Sequence, residues 1–480
     1  MTARVFPTAA EVEALTSPER DRALDVIRIV SLVGVVFGHT VMATSMIKDG
    51  VFLWGNLLTT SVVFQALTWA LQIMPLFFFA GVAASAGSWH AGQSWGGWLL
   101  KRCTRLYRPV FYYLAFWAVT LAVLRQMLPI HVYEPIAGVS IQLLWFLGIY
   151  VLVLAAVPLL AHITSARQLT TAVAATYLLI AAVDTVRLND HAWHALGYLN
   201  FTAWLIPGMF GIAYRRNLLS TTSALKLGAA MLVVNVALVA FGPYELSLVG
   251  IDTQHVKNMT PPSLLLAGHA IMMCAFIIAA IPAINRWAAR PNVWRLTVIG
   301  NTGAMTLYLW HMPALLGVHL SFDLLGLPRY PGQPHFLLLS IVQLALMAVL
   351  VAGLFVALRP LENTPLPLWD GGRVKTPGWR SAAVGTLLCI AGVACCVAMS
   401  MPQVHIVAYC GDLGYGAANG ARKAAEEKGF QVVAEGARSA REAEEGRFTV
   451  DLRVAPSAAL SFLTVRLVQS GDRSQVTEVR

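Results

Sequence analysis

Arg28 and His39 are the first residues in this chain whose types and spacing suggest chemistry. Both lie in RALDVIRIVSLVGVVFGHT, residues 22–40, within the first long apolar run. Ionisable groups inside such a run are costly unless partnered or hydrated, so they are informative. Eleven residues at about 100° each complete three turns plus about 20°, so the two side chains share a helix face. At about 1.5 Å per residue they stand roughly 16 Å apart along it. Arg28 then falls near the cytoplasmic edge of a span and His39 near mid-membrane. A guanidinium is permanently charged and suits phosphate. An imidazole can act as a general base or accept an acyl group covalently. Plainer readings stand beside these: an arginine can snorkel to headgroups, and a histidine can be a hydrogen-bonded packing residue.

The elements that must position these residues follow from composition. The chain has 480 residues, of which 57% are hydrophobic and 12% charged, with a mean hydropathy of +0.65. A soluble globular chain is less apolar and about twice as charged. Disordered chains, coiled coils and ordinary water-soluble enzymes are excluded. Eleven apolar runs read as spans: 26–46, 70–89, 109–128, 141–160, 168–186, 200–214, 226–242, 263–284, 298–320, 336–358 and 381–400. Residues 51–68 carry Gly55, Asn56 and Thr59–Ser61 and read as an outer-leaflet or re-entrant piece.

The net charge of +10 could mean nucleic acid, anionic lipid or oriented loops. Placing the N-terminus in the cytoplasm puts eighteen basic residues in cytoplasmic segments and five in outer loops. The excess therefore orients the protein, and no nucleic-acid partner is expected. The expected fold is an all-α polytopic membrane protein of about eleven transmembrane helices with a small C-terminal extracytoplasmic α/β domain. Its parts are a cytoplasmic leader (1–25), a membrane domain (26–360), a cytoplasmic linker (361–380), a last span (381–400) and the outer domain (401–480). In that domain 404–411, 430–434, 448–454 and 460–468 read as strands and 417–428 as a helix. The six cysteines are scattered without a C-x-x-C pair, so neither a disulfide framework nor a zinc site is expected. Asp190, His191 and His194 have metal-ligand chemistry but no further strong ligand in their loop, and no metal is expected. Trp145, Trp204 and Trp310 read as interfacial anchors.

The residue pattern resembles the integral-membrane acyltransferase-3 family. Its members open with Leu-Asp-x-x-Arg and a histidine after ten further residues, matched here by Leu24, Asp25, Arg28 and His39. MPLFFFAGVAASAG (74–87) is similar to the second span, with Ala80-Gly81 where the family has Ser-Gly. KRCTRLYRP (101–109) resembles a basic cytoplasmic loop with two arginines three apart, Arg105 and Arg108. LWFLGIYVLVLAAVPLL (144–160), NMTPPSLLL (258–266) and GNTGAMTLYLWHMPAL (300–315) also resemble family segments, the last supplying His311. The resemblance covers roughly residues 20–360.

The resemblance implies transfer of an acyl group, often acetyl, from cytoplasmic acyl-CoA to a hydroxyl of a glycan, lipid-linked sugar or related acceptor. Acyl-CoA (acetyl-CoA) is then a donor substrate, with no resident cofactor. Arg105, Arg108 and Arg28 are the candidates for the CoA phosphates. His39 would deprotonate the acceptor or carry the acyl group, and His311 would pair with it or line the acceptor path. Asp25 reads as a helix cap or as an ion-pair partner of Arg28. The implied location is the cell membrane, with the N-terminus cytoplasmic and the C-terminal domain outside. A polytopic transporter or exporter of an envelope precursor is the alternative, because buried Arg and His with Pro and Gly breaks suit one.

Overall fold

The computed structural model describes residues 6–48, 51–59, 61–189, 191–250, 256–367, 369–370 and 374–400, with strands over 430–435, 447–456, 463–470 and 473–479. It divides into two units, Met1–Met399 and Ser400–Arg480.

The first unit begins with α1 (Ala9–Ala14), closed by a capping box between Thr8 and Glu11. Asp21 caps α2 (Arg22–Met42) by accepting from the Leu24 N–H. An antiparallel hairpin follows, β1 (Ala43–Lys48) with β2 (Val51–Asn56). Then come α3 (Val62–Leu71) and α4 (Met74–Ala86), one span broken at Gln72–Ile73 just before Pro75. The chain continues through α5 (Trp95–Met127), α6 (Ile130–Ile141), α7 (Leu144–Ala155), α8 (Val157–Leu160) and α9 (Ala166–Asn189). A 3-10 stretch, His191–Trp204, leads into α10 (Leu205–Arg215). It closes with α11 (Thr221–Phe241), α12 (Leu264–Ala288), α13 (Pro291–Asn301), α14 (Ala304–Leu324), α15 (Phe336–Asn363) and α16 (Trp379–Ser400).

Ten helical segments among the described residues are long and apolar enough to cross a membrane, so the chain is a multi-pass membrane protein. α14 is not among the ten, although its 21 residues are long enough. His311, His319 and Asp323 lower its apolarity, and both histidines are fully buried. Lipid would not accept these groups, so the bundle encloses them. α14 starts at Ala304, not at 298, because Gly303 separates it from α13.

Several expectations change. Residues 101–108 are not a loop: they lie within α5, which the Ser94 hydroxyl caps and which runs through Pro109. Its 33 residues reach about 50 Å, against about 30 Å of hydrocarbon, so the basic turns can stand beyond the apolar layer. Residues 51–59 form β2 and a 3-10 turn, while 62–71 already belongs to a span. Trp204 is 2% exposed and packs with Phe78 and Trp145, so it is core and not an interfacial anchor. Asp184 and Arg187 lie within α9, past the expected end of that span at residue 186 in the case of Arg187, and both are buried. Asp184 accepts from Arg187, Asn200, Tyr244 and the Leu264 N–H, at 2.7 to 2.9 Å, fastening α9, the 3-10 stretch and the start of α12.

The described part of the second unit is a four-stranded antiparallel sheet in the order β3 (Phe430–Glu435), β4 (Arg447–Pro456), β5 (Leu463–Ser470), β6 (Arg473–Val479). Alternating residue types explain the strands, and the register sets Leu452 opposite Val465 and Leu467 opposite Val476. The fourth strand was not expected. The helix read over 417–428 and the strand over 404–411 lie outside the described residues.

Candidate active site

α2 and α14 run parallel past one another and carry polar groups in the same order. At their starts lies a cavity of about 400 Å³. Arg20, Arg28, Arg102 and Arg105 line it, together with Asp25 and Glu362. Four guanidinium groups against two carboxylates leave an excess of two positive charges. Asp25 is partnered by Arg20 at 2.6 Å, not by Arg28, and the helix cap is Asp21. Glu362 accepts from the backbone and hydroxyl of Thr306, each at 3.0 Å. Buried Nε atoms of Arg28 and Arg102 have no protein partner, which leaves the cavity with unmet donors. A second groove of about 580 Å³ along α2, α13 and α15 is apolar throughout except for Thr40 and Thr297. Charge therefore selects the first cavity for an anion.

Helix geometry decides which basic residues of α5 reach the cavity. Residues three apart differ by about 60° around the axis, so Arg102 and Arg105 share a face while Arg108 turns about 120° from Arg102. Arg108 instead makes a bidentate pair with Asp370, whose carboxyl it holds below the ordinary carboxylate range. The segment Leu366–Asp370 is thereby fastened to α5, helped by the Trp369 indole donating to the Thr104 carbonyl at 2.9 Å. Gly81, in place of a larger residue, lets α4 approach α7, since a Cβ there would collide with the Tyr150 ring.

Further along both helices, His39 Nδ1 and His311 Nε2 stand 2.9 Å apart. His311 Nδ1 lies 3.1 Å from the Leu307 carbonyl, which can only accept, so that nitrogen carries a proton. With both rings neutral, His311 Nε2 accepts from His39 Nδ1–H, and the lone pair of His39 remains on Nε2. His311 is fully buried, whereas His39 stays exposed. Between the cavity and this pair runs an aromatic wall. Phe77 meets Tyr150 at 5.6 Å, Phe146 meets Tyr308 at 5.2 Å, and Tyr308 meets His311 at 6.3 Å.

The end of α2 that carries His39 is held from outside the helix. Gln343 donates to the Thr40 carbonyl at 2.5 Å, and Arg329, 2% exposed, donates to the carbonyls of Val41 and Ala43. A buried cation on the last carbonyls of a helix suits its dipole. The segment 258–266 is structural: Asn258 donates to the carbonyls of Glu245 and Ser247 and accepts from Ser263, which caps α12.

The structure thus places Arg28 and Arg105 in one cavity and His39 against His311, and it leaves Arg108 outside. Arg20, Arg102, Tyr150 and Glu362 were not singled out from the sequence. Arg102 was within reach, because it repeats the three-residue spacing of Arg105 and Arg108. Among the described residues no group of three His, Cys, Asp or Glu side chains is arranged to hold a metal. The side chains of His191 and His194, and Asp190, lie outside the described set.

The fold is thus a helical membrane bundle with a cationic cavity at the starts of α2 and α14 and a hydrogen-bonded histidine pair further along them. The family model described as "Acyltransferase domain" matches residues 21–359, and the chain belongs to that family, acyltransferase family 3. It is therefore a membrane acyltransferase. No curated protein and no solved structure matches the chain.

Proposed function

We propose that the chain is an O-acyltransferase of the cell membrane, moving an acyl group, acetyl in the simplest case, from cytoplasmic acyl-CoA to a hydroxyl of a glycan, lipid-linked sugar or related acceptor. The observation that carries this reading is the pairing of a four-arginine cavity, lined from α2, α5 and the turn before α2, with a hydrogen-bonded His39–His311 pair further along α2 and α14. Arg28, Arg102 and Arg105 hold the CoA phosphates, and Arg108 positions α5 through Asp370. The thioester arm extends along the face shared by Arg28 and His39, past Phe77 and Tyr150. His39 Nε2 takes the acceptor proton as the hydroxyl oxygen attacks the thioester carbon. The carbon–sulfur bond breaks, and the proton passes to the leaving thiolate, giving an ester and free CoA. His311 fixes the His39 tautomer and stabilises the imidazolium. The cavity end faces the cytoplasm, where the donor is made, so the N-terminus is cytoplasmic and the acceptor enters from the opposite face.

Mass spectrometry of envelope glycans and lipids from cells with and without the protein tests this reading. Loss of one acyl mass without the protein, restored by wild type and not by His39→Ala at equal protein level, is expected. An unchanged acylation pattern overturns it. Removing a positioned base lowers turnover by at least about 100-fold.

A further inference from the structure

The parallel order of α2 and α14 does not end at the histidine pair. Eight residues beyond His311, about 12 Å along α14, His319 is fully buried. Its Nδ1 lies 2.8 Å from the Ser45 hydroxyl, which donates to Asp323 Oδ2 at 2.7 Å. Ser45 itself is 2% exposed and sits on β1, directly beyond α2. The single hydroxyl proton of Ser45 goes to the carboxylate, so His319 Nδ1–H must donate to Ser45 Oγ. With the ring neutral, His319 Nε2 is then a bare lone pair. It has no partner and is buried, and so is Asp323 Oδ1. Two desolvated acceptors left unpaired cost about 1–3 kcal/mol each, so a folded protein keeps them where something else completes them.

What completes them must donate hydrogen bonds. The hairpin adds a second clue. Trp54 of β2 is the register partner of Ser45, and its half-buried ring meets His319 edge-on at 5.0 Å. Paired acceptors beside a partly exposed indole are the chemistry that holds a sugar, with hydroxyls donating and the apolar ring face against the aromatic. We infer that Ser45, Trp54, His319 and Asp323 form the acceptor-sugar subsite, at the end of α2 and α14 opposite the arginine cavity. The inference rests on the transferase reading above.

Saturation-transfer NMR on purified full-length protein in a detergent without sugar tests the subsite, with cellobiose, N,N′-diacetylchitobiose and glycerol as probes. Acetyl-CoA binding by calorimetry is the independent check of fold and donor site. Wild type is expected to transfer saturation to at least one disaccharide and not to glycerol. Trp54→Ala and Asp323→Asn are each expected to weaken that binding about tenfold or more while binding acetyl-CoA as wild type does. Disaccharide binding unchanged in both variants, or no binding to wild type, overturns the subsite. Failure of acetyl-CoA to bind wild type strikes the transferase reading instead, and sugar binding that depends on Trp54 would survive it.

Discussion

His39 presents its free lone pair on Nε2 because a backbone carbonyl on α14 dictates the proton positions of the whole pair. Leu307 fixes His311, and His311 fixes His39. His311→Ala is therefore expected to leave acetyl-CoA affinity intact while lowering turnover about tenfold or more, since the base remains but its tautomer is no longer held. Separate measurement of KM and kcat checks this, and a change confined to KM would contradict the positioning role. The arginines make a sharper contrast. Arg102→Ala and Arg105→Ala are each expected to raise the KM for acetyl-CoA about tenfold, the scale of one charge-assisted phosphate contact. Arg108→Ala should raise it far less, because its guanidinium is already committed to Asp370. The eleven-residue spacing placed Arg28 and His39 on one helix face and left their roles open; the family resemblance supplied those roles. The contact between His39 and His311 was not legible, because the residues are 272 positions apart and no local pattern reports such a pairing.

At the scale of elements, the site depends on how α2 ends and how α5 is fastened. Arg329 and Gln343 satisfy carbonyls that the helix itself leaves open. Arg329→Ala orphans two of them in the interior and is expected to destabilise the protein by about 3 kcal/mol, read as a lowered thermal unfolding midpoint. Fastening of Leu366–Asp370 has a pH sign. The folded carboxyl of Asp370 titrates below its ordinary value, so its contribution is complete above about pH 4 and is lost only as pH falls through the lowered value. Limited proteolysis within 364–378 should proceed equally slowly at pH 7 and pH 5, and faster at pH 7 in Asp370→Asn. The spans were readable because apolar runs near twenty residues admit few alternatives. The basic turns of α5 were misread as a loop because charge density resembles a loop's, while the absence of a glycine from Leu99 to Pro109 was the helical signal. The β1–β2 hairpin was legible only as part of an outer-leaflet or re-entrant piece over 51–68, since Gly55 and Asn56 break apolarity without naming the turn.

For the molecule as a whole, the family match ends at residue 359, while α16 and the sheet of the second unit lie beyond it. Deleting 401–480 is expected to leave acetyl transfer measurable, because the cavity and the histidine pair lie wholly within the first unit. Complete loss with normal membrane insertion would assign the second unit a catalytic share. The net charge of +10 gains a narrower meaning: part of the basic excess converges on one cavity. That convergence is the central claim, and donor choice tests it most directly. Thioester turnover by the purified wild-type protein should be compared for acetyl-CoA and for acetyl-pantetheine, which has the same thioester and no phosphate. A preference for acetyl-CoA of about 100-fold or more in kcat/KM is expected from several arginine–phosphate contacts. Equal use of the two donors would contradict the account.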